Sequence, residues 1–334
     1  MKKTFTAFLA LALALGFTAC EKEQTVVTPD DDSTPTTPTE PTYKEGVYAP
    51  LMQIASIDRE EGTCETWNWE GDQLVSVTTT DNDTRTYTYA NGKLATARGS
   101  VFGISGDATF SYNGNQMTSC RLNNQGADVA LVTFRHADNR ISGADVALDA
   151  EYISGMLDGL LLGGKGHRID PKGILLDTTD NSIHVDLLWN GKDVSQVLVA
   201  GDIPFQLTKE MYETIKPYLP VDSSMLALVD LYFLFSNALP MNINVADTID
   251  YTYDTKINPY FCYFGNINPT SLSLHNTLSS DNHGAVNISV TLTGSPMQVT
   301  SQPLNDRKVY FYEYNDRNYP VMVEGSDNYT ITYR

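Results

Sequence analysis

The sequence predicts a mainly β protein: antiparallel hairpin repeats forming one curved sheet or open barrel, with α-helices inserted into it. Three observations predict this. Apolar and polar residues alternate with period two in many short runs, as in Val286-Asn-Ile288-Ser-Val290-Thr-Leu292, which gives a strand one apolar and one polar face. A short unit of aromatic residues, turn formers and an apolar residue recurs along the chain. Two stretches without that unit carry apolar residues at helical spacing instead.

The unit reads Trp67-Asn-Trp69-Glu-Gly-Asp-Gln-Leu74, then Tyr87-Thr-Tyr89-Ala-Asn-Gly-Lys-Leu94, Phe110-Ser-Tyr112-Asn-Gly-Asn-Gln-Met117 and Phe134-Arg-His136-Ala-Asp-Asn-Arg-Ile141. It returns at Leu187-Leu-Trp189-Asn-Gly-Lys-Asp-Val194 and at Tyr312-Glu-Tyr314-Asn-Asp-Arg-Asn-Tyr319. Residues two apart on a strand share a face, so the paired large residues point the same way. Asn91-Gly92, Asn113-Gly114 and Asn190-Gly191 tolerate the positive φ that tight hairpin turns need. The apolar residue five positions after the second large one starts the return strand. The first four units start 20, 23 and 24 residues apart, about one hairpin each. Val309 to Tyr314 and Tyr329 to Tyr333 are aromatic-rich and read as edge or closing strands.

Helical insertions are expected near 150–163 and 207–239. Ile153, Leu157, Leu160 and Leu161 form an i, i+4, i+7, i+8 stripe. Leu207, Met211, Ile215 and Tyr218 share a second face, with Pro217 and Pro220 helping to end it. Asp222 or Ser223 caps a further helix, Met225 to Leu239, apolar nearly all round and read as a core helix covering the sheet; the alternative is a membrane-inserted segment, for which the run is short. A chain of 334 residues could hold two domains. The return of the unit at Tyr312 after both insertions argues for a single domain over 46–334.

Residues 1–19 read as a signal peptide. Lys2 and Lys3 supply a positive start, and Phe5 to Phe17 is an apolar run shorter than the ~20 residues a spanning helix needs. Phe17-Thr18-Ala19-Cys20 resembles a lipobox, with Phe17 where Leu is usual, so Cys20 is the expected lipid attachment residue. Several acyl chains on that cysteine make attachment stable where one would not. Residues 20–45 form an acidic, Thr/Pro-rich tether with too little apolar surface to fold and repeated proline to keep it extended.

The repeat resembles a degenerate YD repeat, the Tyr-Asp-x-x-Gly-[Arg/Lys]-Leu unit of Rhs-type proteins. Together with the lipobox, it resembles a Bacteroidetes lipoprotein family of unknown function. Tyr251-Thr-Tyr253-Asp254-Thr-Lys-Ile-Asn258-Pro259-Tyr260 is the most family-like stretch. The resemblance covers roughly 60–334 and departs from the repeat in 145–180 and 200–245. It implies a porin-like, curved β fold and an outer-membrane, surface-exposed location, and it carries no activity or catalytic residue with it. The acidic residues behind Cys20 are similar to the surface-export signal of such lipoproteins. Asp32-Ser33-Thr34 matches the phylum's glycosylation site, which makes Ser33 a modification candidate; Asp177-Thr178-Thr179 and Asp247-Thr248-Ile249 match as well.

Removing the two signal lysines leaves 20 basic against 41 acidic residues, a net charge of −21. That disfavours nucleic acid and anionic lipid, which both select a basic face. Cys64, Cys120 and Cys262 allow one disulfide at most, match no zinc spacing and read as small buried hydrophobes. Gly159 to Gly166 has part of a P-loop's spacing but places Gly166 where Ser or Thr must bind magnesium. No pair among His136, His167, His184, His275 and His283 has helical spacing. His184 and Asp186 share a strand face, and His275 and His283 flank a loop with Asp281. Asp81-Asn-Asp83 and Asp177-Thr-Thr-Asp180 lack the glycine and glutamate of an EF-hand. No catalytic, metal or cofactor site is expected. Nineteen tyrosines and three tryptophans suit either sheet packing or stacking on sugars. The expected function is a lipid-anchored, non-enzymatic surface module that binds a glycan or an envelope protein. The alternatives are a structural envelope protein, or a hydrolase whose site is assembled only in three dimensions.

Overall fold

The computed structural model describes residues 50–60, 62–81, 83–101, 104–149, 182–216, 223–261, 281–295, 299–300 and 304–334. The helix expected near 150–163, the Gly159–Gly166 segment, His167, His275, Cys262, Cys20 and Ser33 lie outside them.

The first half is a run of strands: β1 (Ile54–Arg59), β2 (Cys64–Glu70), β3 (Gln73–Thr79), β4 (Thr84–Ala90), β5 (Lys93–Val101), β6 (Ile104–Asn113), β7 (Gln116–Asn124), β8 (Ala127–Ala137) and β9 (Arg140–Leu148). The second half holds β10 (Ser182–Asn190), β11 (Asp193–Thr208), β12 (Ala238–Ile257), β13 (Asp281–Ser295), β14 (Val299–Thr300), β15 (Leu304–Tyr314), β16 (Pro320–Gly325) and β17 (Tyr329–Tyr333). Helices α1 (Lys209–Ile215) and α2 (Ser223–Tyr232) stand between β11 and β12. All seventeen strands belong to one antiparallel sheet. Each pairs with its neighbour in sequence, except that β13 pairs with both β14 and β15. The pairings return to their start, because β17 pairs with β1 and β1 with β2.

The expected units are the hairpins β2–β3, β4–β5, β6–β7, β8–β9, β10–β11 and β15–β16. In every one the register slips just before the second large residue. Trp69 faces Leu74 while Asn68 faces Ser76, so Val75 is an extra residue in the return strand. This is a β-bulge, which bends and twists the strand. It turns the period of two into a spacing of three: Leu74 and Val77, Leu94 and Ala97, Met117 and Cys120, Ile141 and Ala144, and Val194 and Val197 are all buried. In the last unit the turn is one residue longer, and Pro320 rather than Tyr319 takes that place.

Turn chemistry follows the residues. Asn91 and Gly92 both have positive φ, as do Asp138 and Asn139, the mark of a type I′ hairpin. In Asn113-Gly114 and Asn190-Gly191 only the glycine does. Those asparagines are the last residues of β6 and β10, so the glycine is the first loop residue, as in a type II′ turn.

One sheet face is apolar and dry, the other polar and wet. The core includes Ile57, Val77, Ala108, Val132, Val146, Val185 and Ile249, each at most 4% exposed. The opposite face carries Thr66, Thr86, Thr88, Thr109, Thr133, Thr330 and Thr332, all exposed. Cross-strand threonines pair there, as in Thr88 Oγ1 to Thr96 Oγ1 at 2.6 Å.

Helix α1 falls where the sequence expects it. The helix expected over Met225 to Leu239 is shorter: α2 ends at Tyr232, and Ala238 already opens β12. Strand pairing overrides the apolar run, since Thr208 is matched with Ala238 in the β11–β12 ladder. Beneath the pair of helices, Tyr212 stacks on Phe233 at 5.0 Å and donates to the Leu226 carbonyl at 3.1 Å. Lys216 holds Asp230 at 2.6 Å, and that hydrogen bond keeps the Asp230 carboxyl below its ordinary range, helped by Tyr212.

Candidate functional site

Three parts of the molecule bring functional groups together: the rim of hairpin turns, the polar outer wall and the helical tip. Successive strands run antiparallel, so the turns of β2–β3, β4–β5, β6–β7, β8–β9 and β10–β11 crowd one end. Gln53 and the final residue, Arg334, lie at this same end, where both reach the Gly71 carbonyl.

At this rim the second large residue of each unit uses its polar tip. Tyr89 donates to the Leu74 carbonyl at 2.8 Å, Tyr112 to Leu94 at 2.9 Å and Trp189 to Ile141 at 3.1 Å. Trp69 reaches Ile54 at 2.7 Å, Tyr253 reaches Val194 at 2.6 Å and Tyr333 reaches Pro320 at 2.7 Å. Each acceptor lies just beyond the ladder to the next strand; Leu74, for example, precedes the β3–β4 pairs, which stop at Ser76. The bulge opens that carbonyl and the neighbouring aromatic fills it.

The basic residue of the Gly-[Arg/Lys]-Leu pattern works in the opposite direction. Lys93 donates to the Gly114 carbonyl of the next hairpin and lies over the Tyr112 ring at 5.5 Å. Arg140 likewise reaches the Gly191 carbonyl and covers Trp189 at 5.0 Å. His136 is the exception: its Nε2 is buried and unpartnered, and burial lowers its pKa.

The family-like stretch belongs to the same system. Asp254 accepts from the Tyr314 hydroxyl and from the Lys256 amide at 2.8 Å. Lys256 reaches Asn318 at 3.1 Å. Buried Asn258 caps the Tyr260 amide at 2.9 Å, and Tyr260 packs on Trp67 at 6.2 Å. Glu65 stands nearby between Arg85 at 3.5 Å and Arg59 at 3.7 Å. The tyrosines therefore serve mainly as sheet packing and rim hydrogen bonding.

On the outer wall the structure brings the expected His184 and Asp186 together with Asp145 and Arg135. His184 Nδ1 lies 2.7 Å from Asp145, and Arg135 contacts Asp145 at 3.3 Å and Asp186 at 2.7 Å. The guanidinium lies flat over Gly143, where a Cβ would sit 2.6 Å from it. Arg135 also donates to the Val185 carbonyl at 2.9 Å. The arrangement is an ion-pair lattice across β8, β9 and β10, with the guanidinium drawing on both carboxylates. Among the described residues no group of three His, Cys, Asp or Glu could hold a metal ion. Cys120 is buried and Cys64 half-buried, both as free thiols.

The third feature reads in the sequence as a core helix, with a membrane-inserted segment as the lesser alternative. Leu228, Leu231 and Tyr232 of α2 are 68%, 52% and 39% exposed, and Leu234 and Phe235 just after it 70% and 86%. Val229 of α2 and Phe233 just after it are buried on the inner side, so the outer side is apolar as well. These five residues stand at the end of the sheet opposite the rim and Gln53. Among the described residues they are the main group of exposed large apolar side chains, the kind of surface that interaction sites use.

No family model matches the chain, and no curated protein matches it. Among solved structures, the chain is similar to a porin-like protein from Bacteroides vulgatus ATCC 8482. The two share 9% identity with a TM-score of 0.42, over 84% of this chain and 99% of that one.

Proposed function

We propose that the chain is an outer-membrane lipoprotein, held through lipid on Cys20 and facing the cell exterior. It acts as a non-enzymatic binding module that presents its helical tip to an envelope protein. The exposed cluster of Leu228, Leu231, Tyr232, Leu234 and Phe235 carries the reading. The 20–45 tether joins the sheet through Gln53, at the opposite end. The tip therefore stands at the end of the sheet farther from the anchor, which favours a protein over the module's own membrane as its partner.

The polarity of the sheet supports anchoring by lipid. A membrane-spanning barrel turns an apolar band outward and a polar face inward. This sheet does the reverse, with threonines outside and a dry apolar core. Among the described residues the strands turn polar side chains outward, where a spanning barrel would meet hydrocarbon, which favours attachment by something other than the strands. Among the described residues no helix is long and apolar enough to cross a membrane.

The test is in-cell photo-crosslinking from position 235. A discrete adduct with one envelope protein is expected, and it should disappear when Leu234 and Leu231 are both changed to Glu. A smear of adducts unaffected by that double change would sink the proposal.

A further inference from the structure

Charged residues are out of place on the dry face of the sheet, yet three of them meet there. Arg59 follows Ile57 by two on β1, Glu65 precedes Trp67 by two on β2, and Arg85 precedes Tyr87 by two on β4. Residues two apart share a face, and Ile57, Trp67 and Tyr87 all belong to the core. The Glu65 side chain is 14% exposed, Arg85 16% and Arg59 35%. Register brings the three together. Ile57 faces Glu65 across β1 and β2, and Val77 of β3 faces Trp67 on one side and Arg85 on the other. Gly99 makes room for Arg85, since a Cβ there would lie 3.2 Å from its Cγ. Arg59 ends β1, and Glu65 and Arg85 are each second in their strands. The cluster therefore lies at the end of the sheet away from the rim, where Arg59 reaches solvent.

The cluster is rich in donors. Arg59 stands 3.7 Å from one Glu65 oxygen, and Arg85 stands 3.5 Å from the other. The Trp67 indole donates to that second oxygen at 3.3 Å. Each guanidinium carries five N–H groups, and these ion pairs leave most of them without an acceptor among the described residues. Tyr87 adds a further group. It is 4% exposed, its hydroxyl is buried with no hydrogen-bond partner, and Arg85 and Glu65 are its strongest electrostatic neighbours. A buried polar group without a partner needs a reason. Two positive charges against one negative leave the place able to take a second anion; Asp327 is the weakest of the groups drawing on Arg59. Beside the charges stand rings. Arg59 lies over Tyr329 at 5.1 Å, Tyr329 is hydrogen-bonded to Tyr260, and both tyrosines are half-buried.

We propose that this cluster is a binding site for an acidic sugar: Arg59, Arg85 and the Tyr87 hydroxyl take its carboxylate, and its ring lies against Tyr329 and Tyr260. Guanidinium forks match a carboxylate in geometry as well as in charge. Aromatic walls with a few convergent polar groups are the usual form of a small-molecule site. None of these residues belongs to the helical tip, so the site stands or falls apart from the partner proposed above.

Calorimetric titration of the full chain with glucuronate, glucose and acetate, at one ionic strength, tests the site. Glucuronate should bind saturably, with glucose and acetate each weaker on the order of tenfold or more, since glucose lacks the charge and acetate the ring. Arg85→Gln should weaken glucuronate binding by ~10-fold or more. Tyr87→Phe deletes a hydroxyl that the protein itself leaves unpartnered. It should weaken binding by ~2- to 10-fold while the melting temperature stays level. Absence of saturable glucuronate binding overturns the proposal, as does an affinity unchanged in either variant. Glucose or acetate matching glucuronate overturns the assignment to an acidic sugar.

Discussion

The Tyr89 hydroxyl donates to the Leu74 carbonyl at 2.8 Å, across a gap that the β-bulge at Val75 creates. The second aromatic of one hairpin thus completes the backbone of the hairpin before it. Tyr89→Phe keeps the ring and leaves that carbonyl without its donor. A loss of about 1–3 kcal/mol is expected, seen as a fall of several degrees in the melting temperature at ~2–4 °C per kcal/mol. Unchanged melting would mean that water replaces the hydroxyl at no cost.

His136 occupies the same place in its hairpin, facing Ile141, with Nε2 unpartnered. By analogy its acceptor is the Met117 carbonyl, which precedes the β7–β8 pairs that begin at Ser119. His136→Tyr should complete the rim and raise stability by about 1 kcal/mol. A chemical-denaturation midpoint below that of the parent would show that the imidazole is there for another reason.

Gly114 has a φ of +59°, and a Cβ built on it meets nothing within 4 Å. Gly114→Val therefore isolates backbone strain, about 1–3 kcal/mol, and should lower the melting temperature. Thr36→Val in the tether should leave it unchanged. Gly106 is the opposite case: a Cβ there collides with the Asn123 backbone oxygen, so even Gly106→Ala should be more damaging than Gly114→Ala. Equal melting of Gly114→Val and Thr36→Val would remove position 114 from any tight turn.

Lipid attachment is expected to depend on Cys20 alone. Cys20→Ser should lose palmitate labelling and leave the outer-membrane fraction. Protein from a native-type host should carry added sugar mass on the peptide containing Ser33. The matching Asp247-Thr248-Ile249 sequence lies inside β12, paired on both sides, and that peptide should be unmodified. Palmitate on the serine variant, or a bare Ser33 peptide, would each remove the corresponding assignment.

The hairpins were legible because turn formers and paired aromatics sit at fixed distances, and local geometry decides both. The bulge was not, since Val75, Ala95, Thr118, Ser142 and Ser195 have nothing in common but their place. The β11–β12 ladder beyond Gly201 was harder still. Pro204 and Pro240 argue against strands, yet Pro204 lies past the last β10 partner of β11, and Pro240 lies outside the β12 ladder to β13, which begins at Asn242. Among the described residues neither proline has a strand partner on that side, where a missing N–H does no harm. The ion-pair lattice was half visible: His184 and Asp186 show their shared face in sequence, but Asp145 and Arg135 arrive from other strands. The exposure of the tip was hidden because an apolar helix reads as a core helix until its neighbours are known.

The pairing of β17 with β1 joins residues some 270 positions apart, whereas almost every other contact in the sheet is between adjacent strands. Folding can therefore run ahead hairpin by hairpin, with low contact order, and yet leave the ring of pairings open until β17 is in place. Until then β1 and β16 both present bare edges, which invite pairing with other chains. Arg334, donating to Gln53 and Gly71, fastens that seam. Deleting residues 329–334, and β17 with them, thus exposes two sticky edges at once, and its failure would take the form of self-association between molecules, out of proportion to the few contacts it deletes.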